Sequence, residues 1–176
     1  VFAGAFFVQG KTVVITGATS GIGEVAAIRL AEKGARIVFT ARDKARAEDT
    51  MTALRRANPK ADHALHMADL SRLAEMKRVA AELAREPQID VLINNAGALF
   101  NKRQETEDGL ELTFALNHMA YFVVTNLLLD RLKPGARINH YRIQRESADA
   151  FHIATTKART ARSRERSKLS GSAGRC

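Results

Sequence analysis

The chain has 176 residues, 45% hydrophobic and 27% charged, with a formal net charge of +9. That length and balance describe one soluble globular domain with a real core and exclude a wholly disordered chain. The charge raises a nucleic-acid partner as a first idea, while the single cysteine, Cys176, excludes an intrachain disulfide framework or a cysteine-based metal site and makes a reducing cytoplasm the simplest home.

In chain order, residues 1–8 are apolar but far too short to span a bilayer, and they lack the basic start of a signal peptide. Residues 11–17 (KTVVITG) are a β-branched run ending in glycine, which predicts a buried strand. Residues 21–33 place Ile22, Val25, Ala26, Ile28, Leu30 and Ala31 at helical spacing, and Gly34 closes the helix. Residues 35–41 predict a second strand. Residues 43–57 predict a second helix, started by Asp43 as N-cap and stopped at Asn58-Pro59. Residues 63–68 predict a third strand, followed by a helix over 72–85 with Ser71 as its cap. Residues 89–94 (IDVLIN) predict a fourth strand. A polar loop at 101–107 leads into a long apolar helix near 108–131. Lys133-Pro134-Gly135 reads as a turn, and Ala136–Asn139 as the start of a fifth strand.

Alternating strands and helices predict an α/β fold: a doubly wound parallel sheet of Rossmann type, incomplete after about the fifth strand. In such a sheet, ligands bind where the carboxyl ends of the strands open into a crevice.

Two segments fall at such ends. Gly17, Gly21 and Gly23, within TGATSGIG at 16–23, sit between the first strand and the first helix. Glycine permits close approach to the backbone, and the starting helix offers free N–H groups to a pyrophosphate. Gly17, Thr19, Ser20, Gly21, Ile22 and Gly23 are therefore candidate cofactor contacts. Asn94-Asn95-Ala96-Gly97 follows the fourth strand, and its small residues let a ribose or nicotinamide reach the main chain; Asn95, Ala96 and Gly97 join the candidates.

With these two segments, residues 8–138 resemble the classical short-chain dehydrogenase/reductase family. TARDKARAE and ALNHMAYF are most similar to its retinol-dehydrogenase-like members. The resemblance implies an NAD(P)-dependent oxidoreductase acting on a small alcohol or carbonyl substrate, with homo-oligomers common in the family. It gives Asp69, with Leu70, a place beside the adenine ring, although an N-cap role for Asp69 is an equal alternative. It gives Asn117 a place among the catalytic residues, holding a water in the proton relay. Arg42 follows Thr40 and Ala41 at the end of the second strand, where an acidic residue would favour NAD. A guanidinium there fits a 2′-phosphate, so NADP is expected over NAD, unless Arg42 only solvates a loop. His118 reads as a packing residue, and His63 and His66 lack metal-type partners, so no metal site is expected.

The pattern breaks after Ile138. Residues 1–138 carry a net +3 and residues 139–176 a net +6, while Val, Ile, Leu, Met and Phe fall from 43 of 138 to 4 of 38. The family's strand-five serine and its Tyr-x-x-x-Lys are not identifiable. Tyr141 is followed four residues later by Arg145, Ser147 is a weak stand-in for the serine, and Ile153–Ala158 resembles the tyrosine-to-lysine helix with only Lys157 kept, where chance similarity is the other reading. Residues 1–138 thus read as an NADP-binding Rossmann domain. Residues 139–176 read as a basic tail, disordered or aberrant, with a shifted reading frame as the leading explanation. The alternatives to an active enzyme are a catalytically dead dinucleotide-binding fragment and, more remotely, a nucleic-acid binder acting through the tail. Neither a nucleic-acid partner nor a membrane span is expected.

Overall fold

The computed structural model describes residues 8–142 and 152–157. Its strands are β1 (Thr12–Thr16), β2 (Arg36–Ala41), β3 (Ala64–Met67), β4 (Ile89–Asn94), β5 (Leu132–Arg142) and β6 (His152–Lys157). They form one sheet in the order β3-β2-β1-β4-β5-β6, parallel from β3 to β5, with β6 antiparallel on β5. Helices α1 (Gly21–Glu32), α2 (Lys44–Ala57) and α3 (Leu73–Leu83) follow the first three strands. After β4 come α4 (Leu112–Phe114), a π turn (Ala115–Met119), α5 (Ala120–Leu128) and a 3-10 turn (Leu129–Arg131). This is the doubly wound parallel sheet that the alternation predicts.

The period-two alternation of each strand sorts its side chains into two cores. Val13, Ile15, Ile37 and Phe39 pack with Ala27, Ala31 and Leu54, on the side of α1 and α2. Val14, Val38 and Leu92 pack with Met76, Val79, Val124 and Leu128, on the side of α3 and α5. Both faces of β1, β2 and β4 are covered, which is why these strands are nearly continuous apolar runs. The run Leu112–Arg131, with a mean hydropathy of 1.4, is long and apolar enough to cross a membrane by length and composition. Here its Ala120, Val124 and Leu128 are buried against the sheet, while Phe122, Leu127 and Leu129 face outward.

Four details differ from the sequence expectations. Ser71 does not cap α3: its hydroxyl donates to Asp69 Oδ1 at 2.7 Å, and the N–H of Leu73 goes to Asp108 Oδ2 at 2.8 Å. The long helix starts at Leu112, where the Glu111 carboxylate accepts the N–H groups of Thr113 and Phe114. The expected turn Lys133-Pro134-Gly135 lies inside β5, because pairing with β4 steps from Ile89↔Leu132 to Val91↔Arg137 and the three extra residues bulge out. Lastly, β6 falls within the segment read as a tail. Backbone pairing of Arg137↔Lys157 through Arg142↔His152 needs little apolar content, so composition did not announce it. Asn139–Arg142 end β5, and residues 143–151 and 158–176, with Arg145 and Ser147, lie outside the described residues.

A buried histidine links the fold to pH. His63 Nδ1 accepts the N–H of Ile37 at 3.0 Å, and Nε2 donates to the carbonyl of Asn58 at 3.2 Å. The ring is therefore neutral when folded, and burial pushes its pKa below the ordinary histidine value. Burial lowers His140 as well. Stability contributed by a lowered histidine is complete above the unfolded pKa of about 6.5 and is lost as pH falls through the folded value. Urea midpoints should therefore fall between pH 7.5 and pH 5, and less so in His63→Gln; equal slopes for the two proteins would refute this role of His63.

Candidate cofactor site

The strand order reverses between β1 and β4: the chain winds outward through β2 and β3, then returns to the other side of β1. A cleft opens at such a point because successive crossovers leave in opposite directions. Registers Thr16↔Thr40 and Ile15↔Ile93 set the carboxyl ends of β1, β2 and β4 nearly level. A cavity of about 460 Å³ lies there.

All twelve sequence candidates for cofactor contact line this cavity: Gly17, Thr19, Ser20, Gly21, Ile22, Gly23, Arg42, Asp69, Leu70, Asn95, Ala96 and Gly97. Sequence reasoning missed Arg46, Ala68, Ala98 and Leu116, which also line it. Arg46 on a helix surface reads as an ordinary solvated arginine, and only the path of α2 brings it to the cavity.

The glycine turn and the Asn-Asn turn are fastened together. Thr16 Oγ1, buried at 1% exposure, accepts the N–H groups of Asn95 and Ala96 at 3.0 and 3.1 Å. The Asn95 amide donates back to the carbonyls of Thr16 and Gly17 at 3.1 and 2.7 Å. Gly17 has φ +67°, and a Cβ there would stand 2.7 Å from Ala96 Cα, so both backbone conformation and proximity require glycine. Asn94 holds the turn from behind, donating to Thr125 Oγ1 at 2.9 Å.

The start of α1 is left open. Its N-cap, Ser20, makes no side-chain cap bond. By contrast α2 is capped by Asp43, which accepts the N–H of Arg46 at 3.0 Å, while Asp108 and Glu111 serve the starts of α3 and α4. Among these four helix starts, only that of α1, which lines the cavity, keeps its first-turn N–H groups free of a carboxylate. Such a start attracts a phosphate through its N–H groups and dipole. Arg42 and Asp69, after β2 and β3, line the cavity on one side of that start, and Asn95 and Ala98, after β4, line it on the other.

The family's sequence profile, described as short chain dehydrogenase, matches residues 11–139. The chain belongs to the short-chain dehydrogenase family. Retinol dehydrogenase 14 of Mus musculus is 42% identical over 139 residues, covering 73% of this chain and 42% of the relative. The chain thus spans less than half the length of that relative. Among solved structures, a short-chain dehydrogenase from Sphingobium yanoikuyae in complex with NADPH is 36% identical with a TM-score of 0.61, over 69% of this chain and 48% of that one. An NADH-dependent reductase A1-R′ complexed with NAD is 32% identical with a TM-score of 0.59, over 70% of this chain and 52% of that one. Both dinucleotides therefore occur among its structural neighbours.

The residues expected to do chemistry fare differently from those expected to bind. Asn117 sits in the π turn, and its amide is engaged at both ends with Ala98, accepting the Ala98 N–H and donating to the Ala98 carbonyl, each at 2.9 Å. It anchors the loop that continues the Asn-Asn turn. Single-turn π segments recur at functional sites because the extra residue widens the helix and redirects its backbone groups. His118 is exposed and stacks on the exposed Phe114, with ring centroids 5.0 Å apart. Lys157 lies on β6, not on a helix. A strand sets positions four apart about 13 Å from each other, whereas a helix sets them about 6 Å apart, so Ile153–Lys157 does not make the geometry of a Tyr-x-x-x-Lys pair. Among the described residues, no three His, Cys, Asp or Glu side chains converge as a metal site would require.

Proposed function

We propose that this chain is the cofactor-binding part of an NADP(H)-linked oxidoreductase acting on small alcohols or carbonyl compounds. The observation that carries the choice of cofactor is the end of β2. Thr40, Ala41, Arg42 and Asp43 line the cavity, and Asp43 has its Oδ1 committed to capping α2. The adenosine end of the cavity thus presents a guanidinium where a carboxylate would select a free ribose 2′-hydroxyl. NADP(H), when bound, supplies or accepts the hydride. The chain's own contribution is to hold the phosphates on the start of α1, to seat the ribose and nicotinamide against Asn95, Ala96 and Gly97, and to fix that turn through Thr16 and Asn117. Asn117 acts here as a positioning residue.

The proton that must accompany a hydride needs its own acid/base. No Tyr-x-x-x-Lys stands anywhere in the 176 residues. For these residues alone, that favours a second reading: binding without turnover. Two measurements separate the readings. Fluorescence titration should show NADPH binding, and Arg42→Asp should weaken it about tenfold or more while improving NADH, the usual cost of one charge-assisted hydrogen bond plus a new repulsion. An unchanged preference in Arg42→Asp would remove the NADP(H) assignment. NADPH oxidation against a panel of aldehydes and ketones then tests turnover: activity sustains the enzyme reading, and binding with no activity leaves the second.

A further inference from the structure

We propose that His140 is a positioning residue for the Asn-Asn turn and gates it with pH: a neutral ring holds Asn94, and a protonated ring releases it and loosens the turn. The effect on binding rests on the dinucleotide reading above. His140 itself stands outside the residues that line the cavity.

Asn94 is fully buried at the end of β4 and leads directly into Asn95 and Ala96. In the β4–β5 register it lies opposite His140. Its amide is held from one end only. Nδ2 donates to Thr125 Oγ1 at 2.9 Å and meets His140 Nδ1 at 3.3 Å, while Oδ1 is buried with no hydrogen-bond partner among the described residues. Buried polar atoms are normally paired, so this amide takes its orientation from the two bonds of Nδ2 alone. An imidazole Nδ1 accepts only when it carries no proton, with the ring hydrogen on Nε2. Protonation sets N–H against N–H, and one of the two bonds that orient Asn94 is lost.

The surroundings of the ring favour the neutral form. From β4 it meets Asn94, and from α5 the ring of Tyr121, with centroids 6.0 Å apart. The strand β6 sets Ala154 opposite it and carries its titratable residues at its two ends, His152 opposite Arg142 and Lys157 opposite Arg137. None of these is a carboxylate, and burial lowers the pKa of the ring. His140 is thus neutral at pH 7.5, and the conflict with Asn94 sets in as pH falls below about 6.5. It reaches the turn through one peptide bond: the N–H of Asn95 is the one that Thr16 Oγ1 accepts at 3.0 Å. Linkage makes the coupling reciprocal, so a dinucleotide that needs the held turn must lower the His140 pKa further.

The test uses the full chain and titrates NADP⁺ and NAD⁺ into wild type and His140→Gln, which keeps a neutral acceptor that does not titrate. Taking the ratio of the two affinities at each pH cancels the titration of the cofactor phosphates and of His63. Between pH 7.5 and pH 5 that ratio should move against wild type by about three- to tenfold, the scale of one lost hydrogen bond, for both dinucleotides alike. A constant ratio overturns the gate. NMR of the cofactor-free protein reads the same event with no ligand: the Asn94 side-chain amide and the backbone amides of Asn95 and Ala96 should shift with the midpoint of the His140 ring. Asn95 and Ala96 signals that ignore that midpoint overturn the proposal whether or not a dinucleotide binds. If those signals follow the midpoint and neither dinucleotide binds at any pH, the hold of His140 on the turn stands and the dinucleotide reading falls.

Discussion

Gly23→Ala is expected to abolish dinucleotide binding and to destabilise the fold by about 3 kcal/mol, the upper part of the range for overpacked sites. Intrinsic propensity points the other way, since alanine in a helix interior is favoured over glycine by about 1 kcal/mol. Packing decides the sign. A Cβ at Gly23 would overlap the Asn95 amide and the Gly17 carbonyl oxygen, and would stand 3.0 Å from Asn95 Cγ. Neither neighbour can yield cheaply. The Asn95 amide bonds the carbonyls of Thr16 and Gly17, and Gly17 is held at positive φ against Ala96. Relief would therefore have to move the start of α1 away from β4, opening the surface on which phosphates would sit. Urea unfolding and NADPH titration check both halves. An unchanged midpoint would mean that α1 can shift without cost and would sink the argument.

The same contacts show which features a sequence can display. The strands β1, β2 and β4 are buried on both faces, so their apolar runs are unbroken and mark the fold unambiguously. The glycine turn and the Asn-Asn turn are local signals, because glycine and small residues are demanded by the backbone at their own positions. Features that depend on distant partners were hidden. The first turn of α3 is served by Asp108, 35 positions away from Leu73, while the adjacent Ser71 looked like the cap and is held by Asp69 instead. The π turn at Ala115–Met119 is written in residues that read as ordinary helix. Asn117 within it bonds at both ends to Ala98, 19 positions away. Arg46 became a cavity residue only once α2 had been laid beside β2. The edge strand β6 needs only a backbone to pair with, so a polar, basic composition concealed it.

Binding and chemistry also divide along the chain for a physical reason. Every cofactor candidate lies in the turns that follow β1 to β4 or at the start of α1, where the pattern is intact. By the family resemblance, the serine and the Tyr-x-x-x-Lys belong on strand five and the helix after it, where the apolar pattern fails and Lys157 falls on a strand. The charge follows the same line: the excess that suggested nucleic acid belongs mostly to residues 139–176. The part that builds the cavity is close to balanced, apart from Arg42 and Arg46, whose charge is local and faces the site.

Thr16→Val is expected to cost about 2–5 kcal/mol, because one buried oxygen accepts two half-buried N–H groups and each orphaned donor costs about 1–3 kcal/mol. Valine matches threonine in shape, so no cavity is created and the loss is that of the acceptor alone. Asn95 and Ala96 are half-buried at the edge of the cavity, but their N–H groups point onto Thr16, which is itself 1% exposed. The turn must then either remain unsatisfied or rotate outward, and rotation would break the two bonds from the Asn95 amide as well. Against a total stability of about 5–15 kcal/mol for a domain of this kind, that is a large fraction. Thr16→Ser separates the acceptor from the methyl group: it keeps the oxygen and should lose only about 1 kcal/mol, the value of one buried methyl. The measurement is the pair of urea midpoints with the pair of NADPH affinities. Serine close to wild type and valine far below it, in both, is the expected pattern. Equal behaviour of the two variants would show that packing, and not the hydroxyl, holds the Asn-Asn turn to the glycine turn.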